Sequence, residues 1–248
     1  MKVEVFMSPG EITPGDMQGR VVAVIDVLRA STGIATALSN GAKSVIPEAS
    51  VEDAIMRSKQ FERSSVLLAG ERKMLPIPGF DMGNSPLEFT SRAVAGCTVV
   101  ITTTNGTRAL ASIVGARDIV VASYVNLAAV SAMLRAAVRA ENDISIVCAG
   151  TEGHFSLEDA ACAGRYVRSI RKPGVSVMEN DAACACALID RKYGDNIETI
   201  FQESSHGQAL AQAGFGEDLV ACAAVDSHAV VPIYQDRQIT RLGPDRER

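Results

Sequence analysis

The sequence contains no Trp, and aromatic residues make up only 4% of its 248 residues. Hydrophobic residues still reach 47%, so the core must be built mainly from Ala, Val, Ile and Leu. Side chains of this size suit the close packing of helices on a β-sheet. A chain of 248 residues is long enough to bury such a core in one large domain or in two small ones.

Basic residues are also fewer than acidic ones. The 24 Lys and Arg are outnumbered by 29 Asp and Glu, which gives a formal net charge of -5 and disfavours binding to nucleic acid or to an anionic membrane. No apolar run approaches the ~20 residues of a membrane span, and the N-terminus lacks the pattern of a secretion signal. We therefore expect a soluble cytoplasmic protein that binds neither nucleic acid nor membrane.

The six Cys form no CxxC pair, and the three His are widely scattered. This pattern does not indicate a zinc site, and in a cytosolic chain such cysteines are expected to be small buried hydrophobes. Cys148 alone ends a predicted strand close to the candidate site. No cationic neighbour is visible that would convert its thiol to a thiolate, so packing is favoured over a nucleophilic role.

The segment VVAVIDVLRAST, residues 21–32, changes abruptly from apolar to polar. Its apolar run is typical of a buried parallel strand that leads into a helix. Asp26, Arg29, Ser31 and Thr32 therefore lie at the carboxyl end of a strand. Because ligands bind at this end in open α/β sheets, we expect the active site here.

Three further apolar runs also end in polar residues. SSVLLAG leads into Glu71 and Arg72, CTVVITTT into a loop rich in hydroxyl and amide groups, and DISIVCAG into Thr151 and the acids beyond it. Strands alternate with helices through about the first two-thirds of the chain, which predicts parallel strands joined by right-handed crossovers. Such crossovers would place all four polar ends at one edge of the sheet.

Two of the polar stretches allow two interpretations each. The loop from Thr102 to Thr107 either forms an ordinary Asn-Gly turn or presents backbone donors to a phosphate. Ser85, Pro86 and Glu88 match the N-cap, first and third positions of a helix, so Asn84 and Ser85 cap that helix, face an anion, or do both. No Walker motif or GxGxxG follows a strand, which disfavours a nucleotide-binding domain.

The acids after DISIVCAG also have two interpretations. Ser156 and Asp159 have the spacing of a capping box, so Asp159 is either a helix cap or a catalytic or metal-binding group. Adjacent acids cannot face the same way on a helix. We therefore expect one of Glu158 and Asp159 to serve the site and the other to serve the helix. ESSHG could place His206 near the site, but a lone histidine at a helix break is expected to be structural.

The remainder of the chain is helical in pattern from Arg165 to Gly214, with a break at Pro173–Gly174. LVACAAV and AVVPIYQ, residues 219–225 and 229–235, are typical of strands. The closing segment PDRER is expected to fray.

Acids, arginines and a donor-rich loop at one sheet edge indicate a site for Mg²⁺ and a phosphate ester, because Mg²⁺ prefers carboxylate, water and substrate oxygens. The residues expected to hold the metal are Asp26, Glu71, Glu158 and Asp159. The residues expected to be catalytic are Asp26, Arg29, Glu71, Arg72 and Asp159. The residues expected to bind substrate are Ser31, Thr32, Asn84, Ser85, Thr104, Asn105, Gly106, Thr107 and Thr151.

The motifs DVLRAST, GER, GFDMGNSP, TTTNGT and CAGTEGHFSLED, followed by SSHG, GFGEDLVAC and VVPIY, resemble those of the 2-phosphosulfolactate phosphatase (ComB) family. The resemblance covers nearly the whole chain. It implies one phosphatase domain over residues 1–248, with a layered α/β/α fold, a largely parallel or mixed sheet, and a helix-rich part from about residue 165. It also implies Mg²⁺-dependent conversion of 2-phospho-3-sulfolactate to 3-sulfolactate and phosphate, a step towards coenzyme M in methanogens.

Several alternatives stay open at the level of sequence. Attack by a carboxylate and direct attack by water are not distinguished, although the DxD signature of haloacid-dehalogenase phosphatases is absent. A non-catalytic sensor of small acidic metabolites would use the same arginines but would need no cluster of carboxylates. A structural subunit would disperse the polar strand ends over the surface. Strand order and the formation of a homo-oligomer are not determined.

Overall fold

The computed structural model describes residues 1–171 and 177–243. The expected break at Pro173–Gly174 and the closing PDRER lie outside the described residues. The strands are β1 (Lys2–Phe6), β2 (Val21–Ile25), β3 (Ser44–Pro47), β4 (Val66–Arg72), β5 (Leu75–Pro76), β6 (Thr98–Thr102), β7 (Asp118–Ala122), β8 (Ile144–Cys148), β9 (Met178–Glu179), β10 (Pro232–Gln235) and β11 (Gln238–Arg241).

Ten α-helices lie within the described ranges, and none of them has the length and apolar content needed to cross a lipid bilayer. They are α1 (Ala30–Ser39), α2 (Val51–Ser58), α3 (Ser91–Val94), α4 (Gly106–Ser112), α5 (Leu127–Arg139), α6 (Leu157–Ile170), α7 (Asp181–Tyr193), α8 (Ile197–Glu203), α9 (Ser205–Gln212) and α10 (Gly216–Ala223).

The strands form one mixed sheet in the order β5-β4-β6-β3-β11-β10-β7-β2-β8-β1-β9. The strands β7, β2, β8 and β1 form one parallel block, and β4, β6 and β3 form a second. The antiparallel hairpin β10–β11 joins the two blocks through antiparallel pairing with β7 and β3. The two blocks therefore run in opposite senses. This architecture confirms the expected layered α/β fold with a mixed sheet.

Strand β2 is buried on both faces, as its continuous apolar sequence predicts. Val21, Ala23 and Ile25 pack with helices α5 to α8 on one face. Val22 and Val24 pack on the other face with α1 and with residues of β3, β4 and β6. Since both parallel blocks contribute to this second cluster, the sheet curves around α1, which is buried along almost its whole length.

The polar ends of the strands lie close together, but the strand arrangement that brings them together differs from the one that the sequence predicts. β4 and β6 run opposite to β2 and β8, so in a flat sheet their carboxyl ends would lie at opposite edges. Adjacent strands are rotated by roughly 20–25°, and this rotation accumulates over the five steps between β2 and β6. Together with the curvature around α1, the accumulated twist turns the second block so that its ends meet those of the first.

Two local predictions require correction, and one element was not predicted. LVACAAV lies largely in α10 and is not a strand, because a short apolar run does not distinguish a strand from a buried helix. Ser85 caps only a three-residue 3-10 turn, Pro86–Glu88, and accepts a hydrogen bond from the Leu87 N–H at 3.3 Å. The hairpin β10–β11 was not predicted, since its turn uses Asp236 and Arg237 at φ 52° and 62° in place of the usual Asn-Gly.

Candidate active site

A cavity of about 430 Å³ opens where the ends of β2, β4, β6 and β8 meet helix α9. Its volume is within the range of small-ligand sites. The lining residues are Asp26, Leu28, Arg29, Glu71, Lys73, Met74, Asn84, Thr103, Thr104, Asn105, Thr151, Glu152, Ser205, His206 and Ala209. The polar strand ends are thus gathered around one space, contrary to the dispersed arrangement expected of a structural subunit.

The residues predicted from sequence divide into two groups. Those that line the cavity are Asp26, Arg29, Glu71, Asn84, Thr104, Asn105 and Thr151. Those that do not line it are Ser31, Thr32, Arg72, Ser85, Gly106, Thr107, Glu158 and Asp159. Most of the second group support the first, as their hydrogen bonds show.

Asp26 follows β2 directly and is only 6% exposed. Its backbone N–H donates to the Ser31 hydroxyl at 2.9 Å, and its Oδ1 accepts a long bond of 3.4 Å from the Ala30 N–H. Its Oδ2 has no hydrogen-bond partner among the described residues. Burial raises the pKa of Asp26 to about 6, against the opposing effect of His206 and with a further contribution from nearby acids. The carboxylate is therefore poorly compensated in this structure.

The turns on either side of Asp26 are fixed by hydroxyl groups. The Thr32 hydroxyl donates to the Val27 carbonyl at 2.9 Å and contacts the Ser123 hydroxyl at 2.8 Å. The Thr107 hydroxyl donates to the Thr103 carbonyl at 2.8 Å. Neither Thr32 nor Thr107 lines the cavity, so both position the backbone around the site.

The first turn of α4 lies against Asp26. A Cβ atom at Gly106 would lie 2.9 Å from Asp26 Oδ2 and 2.9 Å from Ala30 Cβ, so only glycine permits this approach. The Asn105 side-chain oxygen accepts a hydrogen bond of 3.0 Å from the Glu152 N–H. This bond ties the loop after β6 to the loop after β8 across the cavity.

Glu71 joins two loops of the second parallel block. Its two carboxylate oxygens each accept a hydrogen bond of 2.8 Å, one from the Thr104 N–H and one from the Met74 N–H. Arg72 is the next residue of β4 and therefore points to the other face. Its guanidinium donates to the Glu71 carbonyl and to the Thr102 hydroxyl, outside the cavity.

Asp159 bridges the ends of β2 and β8. Its two oxygens accept hydrogen bonds from the Val27 N–H at 2.9 Å and the Gly150 N–H at 3.0 Å. Burial, with the charges of Asp26 and Glu158, raises its pKa well above the ordinary value. The Ser156 hydroxyl also accepts from the Asp159 N–H at 3.4 Å, so the helix cap is present as well.

Glu158 is buried behind the cavity wall and contacts His206, whose Nδ1 lies 3.3 Å from Glu158 Oε1. Burial alone would lower the pKa of His206, but the hydrogen bond and charge of Glu158 outweigh it and raise the pKa. The His206 Nδ1 also lies 3.4 Å from the Thr151 hydroxyl. His206 lines the cavity beside Asp26, the less favoured of the two interpretations of its sequence context.

Arg29 is buried under α10. Its Nη1 donates to Asp218 Oδ2 at 2.7 Å, its Nη2 donates to the Met74 carbonyl at 2.9 Å, and its guanidinium stacks 4.3 Å from the centre of the Phe215 ring. The Ser85 hydroxyl donates to the other Asp218 oxygen at 2.6 Å. Sequence reasoning missed Asp218 because it immediately precedes LVACAAV, the segment interpreted as a strand.

Three buried polar atoms of the cavity wall have no hydrogen-bond partner within the described ranges: Asn84 Oδ1, Thr103 Oγ1 and Thr104 Oγ1. Their residues line the cavity, but the three atoms themselves have almost no accessible surface and are shielded from it. The buried Cys148 lies outside this wall, and burial raises the pKa of its thiol well above the ordinary value. That environment favours packing and not nucleophilic attack.

The oxygen donors of the wall match the ligand preference of Mg²⁺. No three side chains of His, Cys, Asp or Glu form a metal-binding cluster in the part of the chain that the structure describes. Both carboxylate oxygens of Glu71 and of Asp159 accept backbone hydrogen bonds, and Glu158 contacts His206. Asp26 is therefore the predicted ligand best placed to meet a cation, which would take its other ligands from substrate and water.

The fold and the cavity define a mixed α/β protein with a preformed small-molecule site of carboxylate, guanidinium and hydroxyl groups. Residues 6–237 match the family model described as 2-phosphosulpholactate phosphatase. The chain belongs to this family of phosphatases, and the resemblance drawn from the motifs is confirmed.

Curated relatives support the same assignment. The chain is 41% identical over 227 residues to a Symbiobacterium thermophilum protein named "Probable 2-phosphosulfolactate phosphatase", covering 92% of this chain and 96% of that one. A protein of the same name from Caldanaerobacter subterraneus subsp. tengcongensis is 40% identical over 232 residues, covering 94% and 95%. Another, from Thermotoga petrophila, is 40% identical over 230 residues, covering 93% and 94%.

Proposed function

We propose that this chain hydrolyses 2-phospho-3-sulfolactate, or a related 2-hydroxy acid phosphate, to the free hydroxy acid and inorganic phosphate. Its family supports the reaction class, and the names of its relatives supply the substrate. The cavity of about 430 Å³ has room for a small ester of this kind.

The observation that carries the proposal is the state of Asp26. Its buried carboxylate lines the cavity and has one oxygen without a hydrogen-bond partner in the described part of the chain. An incompletely compensated acid in a cleft is typical of a functional group, not of a structural one.

We assign Mg²⁺ to the Asp26 side of the cavity, held by the Asp26 carboxylate, the phosphate oxygens of the substrate and water. A bound Mg²⁺ would neutralise charge on the phosphoryl group and lower the pKa of a bound water. Glu71 and Asp159 would hold the surrounding backbone in place. His206, fixed by Glu158, lies beside Asp26 on the same wall.

The proposal is tested by release of phosphate from a panel of 2-hydroxy acid phosphates, each with Mg²⁺ and with EDTA. We expect release from 2-phospho-3-sulfolactate or a close analogue, and its loss in EDTA. Release that persists in EDTA would remove the metal from the proposal. Binding of the esters without any release would favour the sensor alternative.

We further propose a cytoplasmic location, where 3-sulfolactate would be a free metabolite and, in a host that makes coenzyme M, would enter that synthesis. Cys148, Cys162, Cys186 and Cys222 are buried as free thiols in the core, the packing role that reduced cysteines take.

A further inference from the structure

The guanidinium of Arg29 is fixed by several contacts within the protein. Asp218, the Met74 carbonyl and the Phe215 ring each contact its guanidinium, and Ser85 in turn fixes Asp218. The side chains of Arg29 and Asp218 are only 2% and 3% exposed. A guanidinium has five N–H donors, the two hydrogen bonds use two of them, and Arg29 is one of the residues that line the cavity.

The charge of this pair indicates which part of a substrate it meets. Asp218 already compensates Arg29, so the pair offers directed N–H donors without a large net positive charge. A phosphate dianion needs more positive charge than that, whereas a carboxylate carries a single charge. The planar fork of a guanidinium matches a carboxylate and a phosphate alike, so the preference for the carboxylate rests on this difference in charge.

The positions of Arg29 and Asp26 also separate their roles. Asp26 and Arg29 are only three residues apart, yet they form no ion pair in the described structure. Asp26 faces the first turn of α4, whereas Arg29 faces α10 and the Met74 carbonyl. Beside Ser85 is Asn84, which is also buried and lines the cavity. An amide there can turn its N–H2 group to an anion.

We propose that Arg29 and Asn84 form the subsite for the substrate carboxylate, on the α10 side of the cavity, and that Asp218 is a positioning residue that fixes the Arg29 guanidinium. The inference rests on the proposed function and deepens it, because every 2-hydroxy acid phosphate carries this carboxylate. Asp218 thereby determines specificity without touching the substrate.

The test compares two esters in one assay: 2-phospho-3-sulfolactate, and its analogue in which a methyl group replaces the carboxylate. In Asp218→Asn we expect kcat/KM for the first ester to fall by about 10- to 100-fold, mainly through KM, because a charged hydrogen bond is misplaced. For the methyl analogue we expect a change of no more than about twofold, since its binding does not use Arg29.

Two further variants separate this role from a structural one. Ser85→Ala removes one hydrogen bond to Asp218 and is expected to change the preference between the two esters in the same direction, by about 2- to 5-fold. Asp190 is a matched control, because it is also buried and also pairs with an arginine, Arg165, at 2.7 Å. Asp190→Asn should leave the preference unchanged.

An equal fall in kcat/KM for both esters in Asp218→Asn, or no fall for either ester, would overturn the inference. If Asp218→Asn does not fold, as judged by circular dichroism, the Ser85→Ala variant takes its place. An unchanged ratio of kcat/KM between the two esters in Ser85→Ala would then overturn the inference. A wild-type protein that releases no phosphate from either ester would contradict the proposed function itself. In that case calorimetric binding of 3-sulfolactate to the wild type and Asp218→Asn decides the subsite, with about 10-fold weaker binding expected in the variant.

Discussion

The buried carboxylate of Asp26 serves the chemistry of the site but lowers the stability of the folded protein. Burial raises its pKa from 3.8 to about 6, so the folded state binds the proton more tightly than the unfolded chain does. Ionised Asp26 therefore destabilises the metal-free protein, increasingly so as the pH rises from 3.8 to about 6.

Replacing Asp26 by Asn removes this charge. In EDTA at pH 7.5 we expect Asp26→Asn to raise the free energy of unfolding by about 1–3 kcal/mol, and by less at pH 5. Urea unfolding at the two pH values measures the difference. Asp16 is the control of opposite sign, since hydrogen bonds from Thr13 lower its pKa and Asp16→Asn should destabilise. A loss of stability in Asp26→Asn at pH 7.5 would contradict the description of Asp26.

The pKa of His206 provides a second test of the electrostatics of the site. The contact with Glu158 raises its pKa above 6.5 despite burial, so the pair stabilises the fold fully below pH 6.5 and loses that effect as the pH rises through the folded-state pKa. NMR titration should show His206 above 6.5 and His228 below it, because burial lowers the pKa of His228. In Glu158→Gln the pKa of His206 should fall while that of His228 stays unchanged. An unchanged His206 would show that Glu158 does not act on it.

At the scale of elements, the approach of α4 to α1 decides the shape of the Asp26 wall. Gly106→Ala would place a methyl group 2.9 Å from both Asp26 Oδ2 and Ala30 Cβ. We expect a folded protein in which kcat/KM for the ester falls by about 10-fold or more, because the carboxylate or the helix must shift. Phosphate release and circular dichroism measure the two parts of this prediction.

Gly216 provides the matched control for Gly106. It also begins a helix, α10, but a Cβ there would meet open space. Gly216→Ala should keep full activity. Equal activity in the two variants would mean that the close contact at Gly106 has no role.

The elements that sequence predicted best are those whose signal is local. The apolar run of β2 and the polar residues after it located both a strand and Asp26 at its end. The Ser156 cap likewise marked the start of α6. The roles of Asp218 and His206 were not predicted, because they depend on contacts with Arg29 and Glu158 that are distant in sequence. Local patterns carry no information about such partners.

At the scale of the whole molecule, the site depends on the hairpin β10–β11. This hairpin reverses the sense of the second parallel block, and the curved sheet then brings the ends of β2 and β4 to one cavity. The sequence predicted which strand ends carry the site but not the route by which they meet. Strand order is set by long-range pairing, which the hydrophobic pattern of each strand does not encode.

The central claim is that these strand ends together hydrolyse a phosphate ester, with Asp26 at the reacting end. The most direct measurement is steady-state phosphate release from 2-phospho-3-sulfolactate at saturating Mg²⁺, with the wild type and Asp26→Asn side by side. We predict turnover by the wild type and a loss of about 100-fold or more in the variant, although the variant stays folded. Near-normal turnover by Asp26→Asn would contradict the claim.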